Sequence, residues 1–135
     1  MMFSGSAIKR EIEKGGLVVK PDADIKEASI KIHLSGEFGS DRKSLEEKEK
    51  FELPAKGFVL ARTKEYVELP NYLAGLYDSH LHLSSVGVFT HLGSMLIEPE
   101  FKGQFTLEIF NASDKLFTLE KDMRVGNLMI VELIR

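Results

Sequence analysis

Residues 58–76, FVLARTKEYVELPNYLAGL, contain the pattern that decides the fold. Three short apolar segments follow one another here, separated only by charged residues and by the pair Pro70 and Asn71. Segments of this length, rich in branched and aromatic side chains, are typical of strands, and proline next to asparagine favours a turn. The stretch therefore predicts consecutive β-strands with tight connections.

The same spacing continues along the rest of the chain. Upstream, residues 28–34 (ASIKIHL) alternate strictly between apolar and polar side chains, which is the period of a half-buried strand. No helical segment is long enough to cross over between parallel strands. We therefore predict a single domain over residues 1–135 that is all-β and mostly antiparallel, either a sandwich or a barrel. The other predicted strands lie at 51–53, 88–91, 95–97, 105–110, 116–119 and 125–134.

One short helix is predicted at the N-terminus. Ser4 or Ser6 is a suitable N-cap, because a serine hydroxyl accepts a hydrogen bond from a free amide of the first turn. Ile8 and Ile12 lie one turn apart on one face, and the glycines at 15–16 end the helix.

Residues 40–50, SDRKSLEEKEK, form the most polar segment of the chain. Acidic and basic side chains are mixed in it, so it carries no field of one sign. We predict a solvated loop or the tip of a hairpin there, and not a binding tail.

The composition excludes several classes of function. The formal charge of −3 and the pI near 5.8 provide no basic stripe for a nucleic-acid backbone. The absence of cysteine excludes disulfides, thiolate nucleophiles and the Cys-ligated zinc of zinc-dependent nucleobase deaminases. An apolar content of 43% is nevertheless enough for a folded core. A small anionic ligand remains compatible with this chain, because it needs only a local group of cations.

Targeting signals are not evident. The first residues, MMFSGSAIKREIEKGG, carry charges where a secretory signal needs an apolar segment. No apolar run approaches the roughly eighteen residues that span a bilayer. The sequence therefore predicts a cytoplasmic protein without a membrane segment.

Residues 78–111 contain more chemically capable side chains than any other part of the chain. Histidines, hydroxyls and carboxylates occur here next to apolar strands, where their properties are most easily shifted. Their density makes this segment the first candidate for a functional site. Its members are Asp78, His80, His82, Ser84, Ser85, His91, Glu98 and Glu108, together with a predicted turn at Gly93 and Ser94.

Five segments also carry a resemblance to a known family. They are residues 28–34, 59–70 (VLARTKEYVELP), 97–103 (IEPEFKG), 107–111 (LEIFN) and 123–128 (MRVGNL). The sequences of these segments, and their order along the chain, resemble those of the dCTP deaminase and trimeric dUTPase superfamily. The resemblance implies an all-β, antiparallel, jelly-roll-like (dUTPase-like) barrel and a homotrimer with sites between subunits. It implies dUTP hydrolysis or dCTP deamination as the activity. It also implies a pyrimidine deoxynucleoside triphosphate as the ligand, with Mg²⁺ carried by the triphosphate.

The resemblance assigns roles to residues in the matched segments. Glu108 is at the position of the glutamate that activates water in deaminases. Glu98 is where dUTPases keep the aspartate that orients the attacking water. Phe101 is at the aromatic position that stacks on the deoxyribose, Asn127 replaces a glutamine near the phosphates, and Arg124 could hold a phosphate.

The phosphate-binding motif departs from the family pattern. Deaminases read Gly-Arg-Ser-Ser-Leu-Ala-Arg where this chain has Ser-His-Leu-His-Leu-Ser-Ser at 79–85, so both arginines are missing. A charge-assisted contact to phosphate is worth roughly 1.5–3 kcal/mol. A histidine replaces an arginine only when it is protonated, and near pH 7 an ordinary imidazole is mostly neutral. The nucleotide-binding candidates in this segment are His80, His82, Ser84 and Ser85.

Three further departures accompany this one. A family arginine is Leu96 here, the aspartate of the early strand is Lys31, and the chain ends at Arg135 without the family's C-terminal tail. The sequence is therefore identified as a diverged, truncated member of the superfamily. Two alternatives stay open: an active dCTP deaminase or dUTP diphosphatase, or a catalytically inactive homologue that uses the trimeric scaffold for binding or regulation.

Asp78, His80 and His82 raise a separate question about metal binding. On a strand, residues two apart point the same way, and the three side chains could ligate one ion. In a short helix, residues two apart diverge and the ligand set breaks. The resemblance implies the helix, so we predict no metal site on the protein.

Overall fold

The structure is a computed structural model, and it describes residues 1–93 and 95–135. Of the predicted turn at Gly93 and Ser94, the second residue lies outside the described part. The elements in chain order are α1 (Gly5–Glu13), β1 (Val18–Lys20), β2 (Ile30–Gly39), β3 (Glu46–Glu47), β4 (Lys50–Leu53), β5 (Phe58–Glu68), β6 (Leu73–Ser79), α2 (Leu81–Ser84), β7 (Val88–Phe89), β8 (Leu96–Ile97), β9 (Lys102–Asn111), β10 (Phe117–Glu120) and β11 (Arg124–Glu132).

The strands pair antiparallel in one large curled sheet and one small one. The large sheet has the order β7-β9-β5-β2-β11-β6-β8, with β1 added to β5 and β3 added to β2. β10 and β4 form the second sheet. The predicted all-β, antiparallel fold with a short N-terminal helix is confirmed.

Alternating side chains build the core. On β2, Ile30, Ile32 and Leu34 are fully buried, while the polar residues between them are half-exposed. β9 follows the same rule with Leu107 and Ile109, as do β5 and β11. Burying one such side chain contributes about 1.5–3 kcal/mol. The inner face of the sheet is therefore fixed, and its outer face is left for polar groups.

The N-terminal helix forms where it was predicted. Ser4 is the N-cap, since its hydroxyl accepts a hydrogen bond from the amide of Ala7 at 3.2 Å. Ile8 is fully buried, and Gly15 follows the helix with φ +82°, a conformation that favours glycine. Neither helix in the described part of the chain is long and apolar enough to cross a membrane.

Two predicted strands turn out to be one. The segments at 58–63 and 66–69 belong to β5, which continues through a register shift between Arg62 and Tyr66. Glu65 appeared in the sequence as part of a charged break, but its side chain is buried. The amide and the Nδ1 of His33 donate to its two carboxylate oxygens at 2.9 and 2.7 Å. A buried carboxylate is tolerated because both oxygens are bound.

The polar segment at 40–50 is a hairpin connection. β3 pairs antiparallel with Glu37 and Phe38 of β2, so its residues Glu46 and Glu47 are in a strand and not in a loop. The hairpin alternative is confirmed, and the loop alternative is wrong for these two residues. β3 can form from polar residues because it is an edge strand with both faces in water and is held by its backbone pairing with β2.

Candidate functional site

A cavity of about 270 Å³ opens beside β9. It brings together two residues that the sequence predicted for the site, Glu108 and Phe101, and adds His91 from the same segment. Tyr77 of β6 and Gln104 of β9 also line it. The cavity therefore combines apolar walls with a few polar groups, which is typical of small-molecule sites.

Glu108 reaches the cavity because of the strand period. Its neighbours Leu107 and Ile109 are buried on the inner face of β9, so Glu108 points the other way and is half-buried. The amide of Leu92 donates a hydrogen bond to its Oε1 at 3.3 Å. This contact holds one carboxylate oxygen, and the other remains able to accept a proton from a bound water.

Phe101 forms an apolar wall of the same cavity. Its ring packs against Phe105, with 5.4 Å between ring centroids, and is only partly buried. It therefore contributes to the core and to the cavity at once. A flat apolar ring and a carboxylate on one cavity suit a ligand with a heterocycle or sugar and polar edges.

Glu98 does not line the cavity. It is exposed and opens a tight turn in which its backbone carbonyl accepts from the amide of Phe101 at 3.2 Å, while Glu100 adopts φ +69°. The two predicted catalytic carboxylates therefore do not share the cavity of one chain. A catalytic role for Glu98 stays a prediction.

A second polar group lies on the outer face of β2 and β11. Arg124 Nη2 donates to Asn127 Oδ1 at 2.7 Å, and Asn127 is directly opposite Lys31 on the neighbouring strand. His80 is adjacent, because its amide donates to the carbonyl of Val125 at 2.9 Å. We call Lys31, Arg124, Asn127 and His80 the β11 cluster. None of its four members lines the cavity.

His80 is not a cation at neutral pH. It caps α2, and its Nδ1 accepts a hydrogen bond from the amide of His82 at 3.0 Å, which requires an unprotonated nitrogen. Partial burial and the nearby charges of Arg124 and Lys31, with His82, lower the pKa of His80 below its usual value. His80 therefore does not replace the charge of the missing arginine.

The two candidate serines make local contacts. Ser84 donates to the carbonyl of His80 at 3.4 Å, and Ser85 donates to the carbonyl of His82 at 2.9 Å. Both hydroxyls therefore bind carbonyls of α2 itself. Like the two histidines, they lie outside the lining of the cavity, so a nucleotide-binding role for His80, His82, Ser84 and Ser85 stays a prediction.

Asp78, His80 and His82 adopt the helical alternative. Asp78 is on β6, His80 is the cap, and His82 is inside α2. Within residues 1–93 and 95–135, no group of three His, Cys, Asp or Glu side chains could hold a metal ion.

A hydroxyl network that the sequence did not predict links the cavity to the β11 cluster. Tyr77 and Ser79 each contact Thr90 Oγ1 at 2.8 Å, and Thr90 donates to the carbonyl of Val125 at 3.2 Å. Burial raises the pKa of Tyr77 well above its usual value, so the phenol stays protonated. The sequence contains an indication of this network, because Tyr77 and Thr90 are polar residues at positions where the alternation along a strand predicts burial.

Gly126 makes this network possible. A Cβ at this position would overlap the Tyr77 hydroxyl and the carbonyl of Asp78. The bare backbone lets β6 and β11 approach closely enough for the Tyr77 hydroxyl to reach Thr90. The geometry of the network thus depends on the absence of a side chain at one position.

His91 also lines the cavity, although the sequence did not assign it a role. Its ring meets the face of Tyr77 edge-on, with 5.6 Å between centroids, and its Nδ1 is buried without a hydrogen-bond partner among the described residues. A buried unsatisfied nitrogen is uncommon. It makes His91 a polar part of the cavity wall.

Comparison with known proteins shows which family this chain resembles. The dCTP deaminase-like family matches residues 39–133. The chain is 32% identical to the dUMP-forming dCTP deaminase of Aquifex aeolicus over 151 residues, which cover 100% of this chain and 83% of that protein. It is likewise 32% identical to the dUMP-forming dCTP deaminase of Rhodococcus erythropolis, over 98% of this chain and 82% of that one.

Solved structures agree on the fold. The dCTP deaminase of Agrobacterium tumefaciens superposes with a TM-score of 0.76 at 16% identity, covering 96% of this chain and 47% of that one, so this chain spans about half its length. The dUTPase of Staphylococcus bacteriophage 80alpha with dUPNHPP superposes with a TM-score of 0.68 at 17% identity, over 90% of this chain and 85% of that one. These likenesses confirm the predicted jelly-roll-like, dUTPase-like architecture. By its sequence match over most of its length and by its fold, the chain belongs to the dCTP deaminase-like family.

Proposed function

We propose that this protein binds and acts on a pyrimidine deoxynucleoside triphosphate, dCTP or dUTP. The observation that carries the proposal is the cavity in which the Glu108 carboxylate and the Phe101 ring face the same space. The ring offers an apolar surface to the deoxyribose or base, and the carboxylate offers a proton acceptor beside it. The names of the relatives, which are dCTP deaminases, favour the same ligand class.

In the deaminating form, Glu108 is the general base. It takes a proton from water as the oxygen bonds to C4 of cytosine, and the amino group leaves as ammonia after it has received a proton, so that dCTP becomes dUTP. General bases of this kind contribute about a hundred- to ten-thousandfold in rate. In the hydrolytic form, Glu98 or Glu108 orients a water that attacks the α-phosphorus of dUTP. The bond from that phosphorus to the bridging oxygen breaks, and dUMP and pyrophosphate are released.

Magnesium enters this proposal only with the nucleotide. The chain does not provide a set of three ligands in its described residues, so the ion would be bound through the triphosphate oxygens. When bound there, Mg²⁺ supplies charge that the protein lacks. The residues of the chain then bind the base, the sugar and the free phosphate oxygens.

A homotrimer with sites between subunits is part of the proposal. On one chain, Arg124 and Asn127 are outside the cavity that Glu108 lines, so these two residues would contact the phosphates of a ligand in that cavity only from another copy. A surface for such a copy is available. Phe58 and Phe89 are 51% and 42% exposed and flank Phe110 on three adjacent strands, and a continuous apolar face of this kind is typical of an interface.

The alternative function is a catalytically inactive homologue that uses the same scaffold for binding or regulation. It is favoured by one observation, the neutral state of His80 at the position of the family's arginine. Losing one stabiliser of developing charge costs about a hundred- to a thousandfold in rate. An unfilled arginine position therefore favours weak or absent turnover.

Thermal unfolding tests the proposal. The purified protein is heated with dCTP, dUTP or, as a control, dATP, each with Mg²⁺, and any stabilising nucleotide is then assayed for dUTP, dUMP and ammonia. We expect dCTP or dUTP to raise the Tm by several degrees, because only a ligand that binds the native state stabilises it. A flat response to all three nucleotides would contradict the proposal. Stabilisation without product would favour the inactive alternative.

A further inference from the structure

The tip of the β2–β3 hairpin brings a cation to the cavity. Arg42 lies in this tip, which the sequence predicted to be solvated, and its side chain lines the cavity together with Glu108. The residue is exposed, so its guanidinium group keeps a water shell until a ligand replaces it. Arginine is charged at every ordinary pH and offers only donors. The cavity therefore has a permanent hydrogen-bond donor in addition to its carboxylate.

The backbone of the hairpin tip is fixed by its own hydrogen bonds. β3 pairs with β2 on the two sides of the tip and so closes the hairpin. Within the tip, the Asp41 carboxylate accepts from the amide of Lys43 at 3.0 Å, and the Asp41 carbonyl accepts from the amide of Ser44 at 3.0 Å. Contacts of this kind are typical of a tight turn that begins at aspartate. Arg42 is the second residue of this turn, so its backbone is held in place.

A second arginine, Arg62 of β5, binds the tip from below. Its Nη2 donates to the carbonyl of Arg42 at 2.9 Å, and its Nη1 donates to the Glu37 carboxylate at 3.3 Å. Glu37 therefore neutralises Arg62, and Arg62 holds the backbone of Arg42. Among the residues that the structure describes, no carboxylate lies within salt-bridge distance of Arg42 itself. Of the two arginines, Arg42 is the one whose charge is available to a ligand.

The strand register shows which part of the cavity Arg42 approaches. On β9, Thr106 and Glu108 line the cavity two residues apart. Arg62, which holds the tip, lies directly opposite Thr106 on the neighbouring strand. Phe101 precedes Thr106 along the chain, and Glu108 follows it. The anchor of Arg42 is therefore level with the part of the cavity between the aromatic ring and the carboxylate.

The volume of the cavity limits which part of a nucleotide it holds. Its 270 Å³ or so is at the small end of ligand pockets, which typically have about 300–1,000 Å³. A space of this size accommodates a pyrimidine base with part of its sugar and leaves the triphosphate outside. In the proposed function, Phe101 and Glu108 contact the sugar or base, so the space between them faces the base. The 2-carbonyl oxygen is an acceptor there that cytosine and uracil share.

We propose that Arg42 binds the pyrimidine base in the cavity by donating to its 2-carbonyl oxygen, and that Arg62 is the positioning residue for this contact. The inference rests on the proposed function for its ligand and names the part of that ligand which Arg42 contacts. A guanidinium group only donates and a carbonyl oxygen only accepts, so the pair is complementary. Arg42 therefore favours a pyrimidine with a 2-carbonyl group and does not choose between dCTP and dUTP. The carboxylate of Glu108 stays available for water.

Isothermal titration tests this contact with dCTP, dUTP and an abasic deoxyribose triphosphate, each with Mg²⁺. Arg42→Met removes the charge and the donors at an exposed position. The matched control is Lys43→Met, which removes the same charge from the next residue of the tip, whose side chain does not line the cavity. We expect Arg42→Met to weaken dCTP and dUTP by about tenfold or more, as for a lost charge-assisted contact. The abasic ligand with Arg42→Met, and all three ligands with Lys43→Met, should bind within about twofold of the wild type.

Arg62→Met tests the positioning role. It releases the carbonyl of Arg42, so it should weaken dCTP by about threefold or more in the otherwise wild-type protein. Combined with Arg42→Met, it should have no further effect, because it acts through Arg42. A purely structural role would weaken dCTP by the same factor in both backgrounds, and this result would overturn the positioning role.

The outcomes separate this contact from the proposed function. If dCTP or dUTP binds equally well to the wild type and to Arg42→Met, the function stands and the contact is overturned. The contact is also overturned if Arg42→Met weakens the abasic ligand as much as dCTP, since Arg42 then holds phosphate or sugar, or if Lys43→Met weakens dCTP as strongly. If dCTP and dUTP do not bind the wild type, or gain nothing over the abasic ligand, the proposed function fails and the contact fails with it.

Discussion

The cavity and the β11 cluster differ in how closely their side chains are tied to the packing of the core. The cavity wall is made by β9, where Phe105, Leu107 and Ile109 are core residues and Glu108 is directed outward by their burial. The β11 cluster consists of outer-face side chains, whose replacement leaves the core unchanged. The cavity keeps the family's glutamate, whereas the cluster carries Lys31 where the resemblance expects an aspartate and His80 where it expects an arginine. A substitution on the packed side of β9 would change the shape of the cavity. A position on the outer face of β2 or β11 can carry a side chain of another charge without changing the core.

The largest expected effect is on the cavity side. Glu108→Gln keeps the shape and the contact with the amide of Leu92 but cannot take up a proton. We expect turnover to fall by about a hundredfold or more with an unchanged Tm. Product formation by chromatography checks this, with Glu52→Gln on β4 as the control. Unchanged turnover in Glu108→Gln would remove Glu108 from the mechanism.

Mixing two defective proteins tests whether the two regions work together across subunits. Glu108→Gln supplies an intact β11 cluster, and Arg124→Met, which removes a proposed phosphate contact, supplies an intact cavity. If each site in a homotrimer combines regions of two copies, unfolding and refolding a 1:1 mixture should restore about a quarter of the wild-type sites. Activity in the mixture is compared with that of each variant refolded alone. No recovery would place both regions of a site on one chain, or show that the copies do not exchange.

The hydroxyl network connects the two regions, so Thr90→Val should disturb both. The substitution leaves the buried Tyr77 hydroxyl without its partner and removes one of the two hydrogen bonds to the Val125 carbonyl, at a cost of about 1–3 kcal/mol in the free energy of unfolding. Urea denaturation measures this loss. Thr118→Val on β10, at a partly exposed position, serves as the control and should change stability by less. Equal stability of the two variants would show that the network does not couple the regions.

The smallest expected effect concerns pH. The pKa of His80 is lower in the folded protein than in the unfolded chain, where it is near the ordinary value of 6.5. The unfolded state therefore binds the proton more readily, and this contribution to stability, present above pH 6.5, is lost as the pH falls through the window below it. His80→Asn keeps a capping side chain without a titrating group. Its free energy of unfolding should fall less between pH 7.5 and 5 than that of the wild type; identical slopes would contradict the prediction.

Much of the fold was predictable because it depends on the regular spacing of apolar residues along the chain. Alternation located β2 and β9, and serine with glycine bounded α1. The continuity of β5 was not predictable, because Glu65 is acceptable inside the sheet only through its contact with His33, a residue 32 positions away. Local polarity indicates a break there, and only tertiary pairing corrects it.

For the candidate site, the sequence could select residues but not show which of them lie together. The resemblance selected Glu108 and Phe101, and the structure brings them to one cavity. It could not show that Glu98 is exposed outside the cavity, because this depends on how the turn at 98–101 lies against the sheet. Nor could it show that His80 is neutral, since this follows from a hydrogen bond to its Nδ1 and from its neighbours. The grouping of charges depends on cross-strand register, which no local pattern contains.

The lack of space at Gly126 has a practical consequence for engineering. A library that randomises residues 31, 124 and 127 can search for new anion specificities, because these side chains are on the outer face and the strands beneath them stay paired. Position 126, between two of the randomised sites, must be left as glycine, since any side chain would collide with Tyr77. In a saturation-mutagenesis map, positions 124 and 127 should therefore tolerate substitution, while Gly126 between them should not.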